Sequence, residues 1–309
     1  GVTIGLAANA FVDAAGTLIT DKMTVLRTLT TQSNDHGIAG TIGQDATKFI
    51  SIGSGSMSLG SAGAITLANT SNVFGSVIGA ATTNSAITIR SGGSMSLTTG
   101  NVNAGTAAVD IRTVDGSLDS SSAVAITGSA ITLMAQGTNR DLTVRSNLNG
   151  ASTLSAARNV TISSSSGAIT LDGATSISAG TGAVTVTGSN GTTFKNPITS
   201  ANVIDVTSGK LTAGGIITIP KLKISTGGVV DGNFQISIPT SLDWAGGTLS
   251  GAGGSTVLGG TTAITGTANL SRPVTNNGTV TLSNTGNIVM STGGTIDNQA
   301  FFDIIQQDP

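Results

Sequence analysis

Residues Gly63-Ala64-Ile65-Thr66-Leu67 begin with a turn residue, Gly63, and end with an apolar, a small polar and an apolar residue. The same pattern of apolar, small polar and apolar residues recurs as Ile131-Thr132-Leu133, Val160-Thr161-Ile162 and Val184-Thr185-Val186. An alternation of period 2 places the apolar side chains on one face of a strand and the Thr on the other. Such short strands become stable when many of them stack into one continuous core. The pattern therefore predicts an all-β chain, a right-handed parallel β-solenoid (β-helix) that can divide into two segments.

Composition favours strands and turns over helices. The 309 residues include 44 Gly and 15 acidic residues, and every acidic residue is Asp. Glu, Lys and Arg are the usual surface residues of helices, so the absence of Glu and a total of only 13 Lys and Arg argue against helical structure. A hydrophobic content of 38% argues against disorder. The chain is therefore expected to bury a core of Ile, Val, Leu and Ala.

Charge and cysteine content exclude several classes of function. The formal net charge is −2 and no stretch is rich in Lys or Arg, so a nucleic-acid partner is not expected. Cysteine is absent, which fits export through an oxidising compartment and excludes thiolate metal sites and Cys nucleophiles. The longest apolar stretches, such as residues 215–220, are too short to span a bilayer, so no membrane insertion is expected. The chain begins at Gly1 without a leader and is interpreted as a mature form or an excerpt of a longer protein.

The pattern divides the chain into four segments. Residues 1–50 are less regular and are interpreted as an N-terminal cap or irregular first coils. Residues 51–190 predict a regular β-solenoid whose coil of three strands takes roughly 20–30 residues. Residues 191–240 are interpreted as a transition with Pro-terminated strands, because Pro at a strand end stops ladder pairing. Residues 241–309 follow a second β-strand-repeat pattern.

The last segment carries the most specific motifs. It reads W-x-G-G-T-L-S-G over residues 244–251, N-N-G-T over 276–279, and G-G-T-I-D-N-Q followed by F-D-I over 293–304. These motifs look like the β-strand repeats of very large bacterial surface and secreted proteins. The chain resembles filamentous haemagglutinin-like exoproteins and autotransporter passenger domains. The resemblance implies a bacterial, secreted β-helix located extracellularly or on the cell surface, and it identifies an architecture without naming active-site residues.

A hydrolytic triad of Ser, His and Asp needs a histidine, and the sequence has one, His36. It follows Asp35 in a polar stretch that reads as a loop. Adjacent loop side chains do not by themselves give a general base held by an orienting carboxylate. His36 is therefore interpreted as a polar loop residue.

A carboxylate pair is the second candidate, since β-helix folds host polysaccharide lyases and hydrolases. Asp110, Asp115 and Asp119 lie within ten residues, and Asp110 with Asp119 would suit glycoside hydrolysis if they occupied adjacent outer positions, with Arg112 nearby. Clefts that process sugars also need aromatic platforms, and the chain has no Tyr and one Trp. An Asp beside Gly or Ser is usually a turn residue, so no catalytic residue is predicted.

Metal and cofactor sites are not expected either. Calcium-binding solenoids use G-G-x-G-x-D turns, and the nearest match, residues 227–232, lacks the middle Gly. No phosphate-binding loop of the form G-x-x-x-x-G-K-[ST] is present. Trp244 alternates with Leu242, so it is expected to pack in the core and not to stack on a ligand.

Two classes of function follow. The first is an extracellular structural or adhesive protein without catalysis, a solenoid segment of a surface exoprotein or a filament subunit. The alternative is a polysaccharide-acting β-helix enzyme or a carbohydrate-binding solenoid, and ice binding by a Thr ladder is a minor third. The apolar strand over residues 301–305 predicts end-to-end self-association or contact with neighbouring repeats of the same protein. A cell-surface or glycan receptor is the other candidate partner.

Overall fold

The computed structural model describes residues 3–6, 23–24, 28–32, 42–44, 49–98, 100–121, 124–164, 168–200, 202–251, 253–283 and 285–305. Within these ranges the backbone forms strands, bridges, turns and bends and no helix, which confirms the all-β prediction. None of these residues belongs to a helix that is long and apolar enough to cross a membrane. The chain divides into two compact units, Gly1–Asn159 and Val160–Pro309. The hand of the coil and the four-segment division stay predictions.

The first unit is built from short strands. They are β1 (Thr3–Leu6), β2 (Met23–Thr24), β3 (Thr28–Gln32), β4 (Ile50–Ser61), β5 (Ile65–Leu67), β6 (Val73–Thr82), β7 (Ile87–Ser91), β8 (Met95–Leu97), β9 (Val102–Asn103), β10 (Val109–Thr113), β11 (Leu118–Ser120), β12 (Ala125–Ala135), β13 (Leu142–Val144) and β14 (Asn147–Ala156). Ile65 in β5 pairs in parallel with Ile87, which pairs with Val109 and then with Ile131. Successive partners are 22 residues apart (87 − 65, 109 − 87 and 131 − 109), so the strands stack as a β-solenoid.

Alternating burial gives each coil of the first unit an inward and an outward face. In β10 the side chains of Val109, Ile111 and Thr113 are buried, while Asp110 and Arg112 point outward. Paired strands lie about 4.8 Å apart, so residues in register form continuous columns. Two apolar columns result, Ile65–Ile87–Val109–Ile131 and Leu67–Ile89–Ile111–Leu133, and all of these side chains are buried.

The second unit has the same construction with more, shorter strands. They are β15 (Val160–Ser163), β16 (Ile169–Leu171), β17 (Thr175–Ala179), β18 (Val184–Thr187), β19 (Thr192–Phe194), β20 (Ile198–Ser200), β21 (Ile204–Val206), β22 (Lys210–Ala213), β23 (Ile217–Thr218), β24 (Lys221–Ile224), β25 (Val229–Asp231), β26 (Ile236–Ile238), β27 (Ser241–Trp244), β28 (Thr248–Leu249), β29 (Thr256–Leu258), β30 (Thr261–Ile264), β31 (Thr267–Leu270), β32 (Pro273–Asn276), β33 (Thr279–Leu282), β34 (Asn287–Met290), β35 (Thr295–Asn298) and β36 (Phe301–Ile304). Three parallel stacks form the faces of its coils: β18–β21–β24–β27–β30–β33–β36, β19–β22–β25–β28–β31–β34 and β23–β26–β29–β32–β35.

Coil length varies within the second unit. Ile204 pairs with Leu222, 18 residues on (222 − 204), whereas Val280 pairs with Phe302, 22 residues on (302 − 280). Each coil still supplies one strand to each of the three stacks, because the difference is taken up in the turns. Trp244 lies in β27 with 2% of its surface exposed, as does Leu242, which confirms the prediction that both pack in the core.

The W-x-G-G-T motif is explained by a corner of the coil. Gly247 follows Trp244 closely and has φ +75°, in the left-handed region that favours glycine. A Cβ on Gly247 would lie 2.3 Å from the carbonyl oxygen of Gly228 in the preceding coil. Both the backbone conformation and the close approach of successive turns therefore require glycine here.

Candidate functional site

The structure shows the surroundings of the candidate carboxylates in the first unit. Asp110 lies on β10 and Asp119 on β11, which belong to different strand stacks: β10 pairs with β7 and β12, and β11 with β8 and β13. Each carboxylate is held by its own arginines, so the two do not share a site. His36, the other sequence candidate, lies outside the described residues.

Asp110 is bound by two guanidinium groups. Arg90, from the preceding coil, donates from Nη2 to Oδ2 at 2.6 Å, and Arg112, two residues on in the same strand, donates from Nε to Oδ1 at 2.7 Å. Burial raises the pKa of the Asp110 carboxyl, but the hydrogen bonds from Arg112 and Arg90 and their positive charges outweigh it, so the pKa is lowered below its ordinary value. A carboxyl that must act as a general acid near neutral pH needs the opposite shift.

Asp115 and Asp119 are likewise held by arginines. Asp115 forms an ion pair with Arg140, whose Nη2 lies 2.9 Å from Oδ1 of Asp115, and Asp119 forms an ion pair with Arg145. At the corner beyond them, Asp141 pairs with Arg158, whose hydrogen bond is the main cause that lowers the pKa of Asp141. Each of these carboxylates is thus anchored to a neighbouring coil by an arginine.

We expect the first unit to lose stability in acid, because protonation of the Asp110 carboxylate removes its ion pairs with Arg90 and Arg112. The folded pKa of Asp110 lies below the unfolded value of about 3.9, so the pairs stabilise the fold above pH ~4 and stop doing so as the pH falls through the folded pKa. Asp110→Asn should lower the free energy of unfolding at pH 6 by roughly 1 kcal/mol, because the carboxylate is partly screened by water. In urea titrations at several pH values, this difference from the native chain should shrink towards pH 2.

Asp243→Asn is the matched control, since no ion pair among the described residues involves its carboxylate. A stability difference between Asp110→Asn and the native chain that stayed constant from pH 6 to pH 2 would contradict the assignment of these pairs.

Most ion pairs in the described part of the chain join residues of adjacent coils. Seven of the ten Asp in the described ranges form ion pairs, and each of the seven has a partner 17 to 26 residues away, in an adjacent coil. The pairs are Arg90–Asp110, Arg140–Asp115, Arg145–Asp119, Arg158–Asp141, Lys195–Asp172, Lys210–Asp231 and Lys223–Asp205. Most of the acidic chemistry in the described part of the chain is therefore used to hold one coil against the next.

The calcium-like turn of residues 227–232 follows the same pattern. Asp231 pairs with Lys210 of the preceding coil. Burial raises its pKa, but Lys210, the amide of Gly232 and the hydroxyl of Ser250 together lower it. In the part of the chain that the structure describes, no three His, Cys, Asp or Glu side chains come together as metal ligands.

Arg272 is a feature that sequence reasoning missed. It lies in the turn between β31 and β32 with none of its surface exposed. Its guanidinium donates to three backbone carbonyls of neighbouring turns, those of Ser250 at 2.9 Å, Phe234 at 2.8 Å and Ser255 at 2.6 Å. Burial lowers the pKa of Arg272 to about 10, against the opposing charge of Asp231, so it stays charged at neutral pH. The only sequence signal is that Arg272 alternates with Leu270 and Val274, both inward.

Two grooves lie on the surface of the second unit. The first, of about 470 Å³, crosses the outward face of β21, β24, β27 and β30. Its charged lining is Asp205, Lys223 and Asp243; Lys223 Nζ lies 3.5 Å from Asp205, and Asp243 has no ion pair among the described residues. The second, of about 430 Å³, is lined at a corner by residues 226–229, 245–248, 266, 267 and 269 and carries no charge. Neither lining contains a histidine.

Comparisons with protein-family models, with curated proteins and with solved structures find no match to this chain. The geometry of its own residues is therefore the basis for any assignment of function.

Proposed function

We propose that this chain is an extracellular structural or adhesive protein, a non-catalytic β-solenoid segment of a bacterial surface exoprotein or filament subunit. The observation that carries the proposal is the use of charge: acidic side chains of the described coils tie one coil to the next. Ionised carboxylates held by Arg or Lys stabilise the stack and are poor proton donors, because their pKa values are lowered and not raised.

The outward faces support the same proposal. In the first unit, the outward column that contains Asp110 is otherwise formed by Thr66, Thr88, Thr132 and Thr153. Short hydroxyl side chains in register make a flat, hydrated surface with little relief. Such a surface suits an extended scaffold better than a catalytic cleft, which needs concavity and converging polar groups. The resemblance of residues 244–304 to exoprotein repeats supports the proposed surface location.

The groove across β21 to β30 favours a second candidate, a carbohydrate-binding or carbohydrate-cleaving solenoid. It is long enough to follow an extended chain over four strands, and Asp243 is the carboxylate there without an ion pair. The groove lining has no aromatic side chain, which disfavours stacking of sugar rings. The structural role is therefore the preferred proposal.

The two candidates separate in one set of measurements. Purified chain is incubated with a panel of acidic and neutral polysaccharides, and released reducing ends and bound glycan are measured. The structural proposal expects no release, and antibody labelling of intact producing cells that is removed by external protease. Turnover that is lost in Asp243→Asn would overturn it. Asp303→Asn is the matched control, because Asp303 lies in the same outward column as Asp243 but outside the groove.

A further inference from the structure

Asp243 is an exception to the pairing of Asp side chains with cations of adjacent coils. Three Asp have no ion pair with a described residue, and two of them, Asp297 and Asp303, lie in β35 and β36 of the last described coil. Asp243 lies in β27, which pairs with β24 on one side and with β30 on the other. Its side chain is half-buried. A carboxylate that is partly withdrawn from water is stabilised by an opposite charge, so Asp243 is suited to a cation that no described residue supplies.

Strand register shows where this cation is missing. Asp205, Lys223, Asp243 and Ala263 occupy one outward column in four successive coils. Lys223 lies between the two carboxylates, but its Nζ forms an ion pair only with Asp205, at 3.5 Å from Oδ2. On the other side of Asp243 the column continues with Ala263, which is exposed and carries no charge. Paired strands lie about 4.8 Å apart, so a cation above Ala263 would be within reach of the Asp243 carboxylate.

The space above Ala263 belongs to the groove of about 470 Å³. Val203, in the turn before β21, lines this groove with 43% of its surface exposed, together with the small side chain of Ala183. Lys and Arg side chains lay their methylene stems along apolar surface and carry the charge beyond it. The lining has two carboxylates and one ammonium group, an excess of one negative charge. The groove therefore matches a cation on an apolar stem.

We propose that this groove binds an extended peptide segment of a partner protein and takes a Lys or Arg side chain beside Asp243, in the space above Ala263. The groove crosses β21, β24, β27 and β30, and three strand spacings of about 4.8 Å accommodate about four residues of extended chain. A peptide is favoured over an amino sugar because no aromatic side chain lines the groove. The inference rests on the proposed adhesive role for its biological use and names the chemistry of one adhesive contact.

The first test is an NMR titration of the full chain with a short peptide. The peptide has a central Lys between Val and Ala residues and is capped at both ends, so that the Lys carries its only charge. It should shift the amide signals of residues 202–205, 222–223 and 241–243 of the native chain. Replacing the Lys of the peptide with norleucine, or using Asp243→Asn, should weaken binding about tenfold, because the contact between ammonium and carboxylate is lost. Asp303→Asn is the matched control, because it removes an Asp of the same outward column outside the groove.

Three results of this titration would overturn the proposal. They are a native chain that does not bind the Lys peptide, equal binding of the Lys and norleucine peptides, and equal weakening by Asp243→Asn and Asp303→Asn. A glucosamine oligomer is titrated in parallel, and tighter binding of the oligomer at the same amides would assign the groove to an amino sugar instead. Circular dichroism of each variant verifies that the fold is retained.

The second test measures the charge preference at the position of Ala263. The chain has no cysteine, so Ala263→Cys introduces a unique thiol. Exchange with cystamine attaches an aminoethylthio group and releases cysteamine, whereas exchange with dithiodipropionate attaches a carboxyethylthio group and releases mercaptopropionate. The cationic product resembles a Lys side chain, and its equilibrium yield relative to the anionic product should be about tenfold higher than at Ser237→Cys. Ser237 is the control because it lies outward in β26, in register with the uncharged Thr218 and Val257.

The preference for the cationic product should disappear when Ala263→Cys is combined with Asp243→Asn. A preference that survives this second substitution, or one that is equal at the positions of Ala263 and Ser237, would contradict the assignment of the cation site. Neither test uses the polysaccharide or cell-labelling assays, so failure of this contact and failure of the structural role are distinguishable.

Discussion

Replacing Arg272 with Met is expected to lower the free energy of unfolding of the second unit by about 3 kcal/mol. Met has a similar length but no donors, so the carbonyls of Phe234, Ser250 and Ser255 would lose the guanidinium that they share. Removing a buried charge also relieves its desolvation penalty. Here the lost hydrogen bonds outweigh that relief, because three part-buried backbone carbonyls lose the donor that they share.

The turn around Arg272 is closely packed against its guanidinium. A Cβ on Gly254 would lie 2.5 Å from Arg272 Nη2, so the turn is shaped to admit the guanidinium. Urea unfolding, with hydrogen exchange of amides in residues 229–276, measures the effect where it should occur. Arg158→Met is the control, since Arg158 forms an exposed pair with Asp141 and its loss should cost much less than the loss of Arg272. Equal losses in the two variants would contradict the proposed role of Arg272.

Ile131→Asp is expected to have an effect of at least that size in the first unit. Ile131 is 1% exposed and lies in register with Val109, so the substitution buries a carboxylate without a partner at a cost of several kcal/mol. Thr132→Asp changes the next residue, which points outward. Thr132 pairs in register with Asp110, so some repulsion is expected, but Arg90 and Arg112 lie beside it.

Thermal unfolding of the two variants gives the comparison. Thr132→Asp should stay within about 1 kcal/mol of the native chain, and Thr132→Asn removes the added charge as a second control. Similar losses of stability in Ile131→Asp and Thr132→Asp would show that the inward and outward faces of β12 are assigned wrongly.

Period-2 alternation carries most of what the sequence predicts about the fold. It assigns the facing of Ile131 and Thr132, and it places Trp244 with Leu242 in the core. Residue type is misleading at one corner, where Arg272 is buried although an arginine suggests the surface, and only its alternation with Leu270 and Val274 indicates the inward direction. The acceptors of Arg272 are carbonyls 17, 22 and 38 residues away, and nothing local in the sequence indicates which turns will meet.

For the candidate carboxylates too, the sequence predicts the direction of the side chains but not their partners. The sequence predicts that Asp110 and Asp119 belong to short strands, and their alternation with Val109 and Leu118 predicts outward side chains. Their partners depend on coil length, because Arg90 precedes Asp110 by 20 residues and Arg145 follows Asp119 by 26. A coil one residue longer or shorter would bring different side chains together. The ion pairs, and with them the loss of any shared carboxylate site, therefore follow from the register of the stack.

The strict pairing of each strand with the coil before and the coil after has a mechanical consequence. A pull on the last strand, β36, is resisted first by its ladder to β33 and not by the whole unit, so coils should peel away one at a time. Releasing a coil of 18 to 24 residues would lengthen the chain by about 60–85 Å. The second unit would then extend under load in a series of similar steps, dissipating work at each one and re-forming when the load is removed.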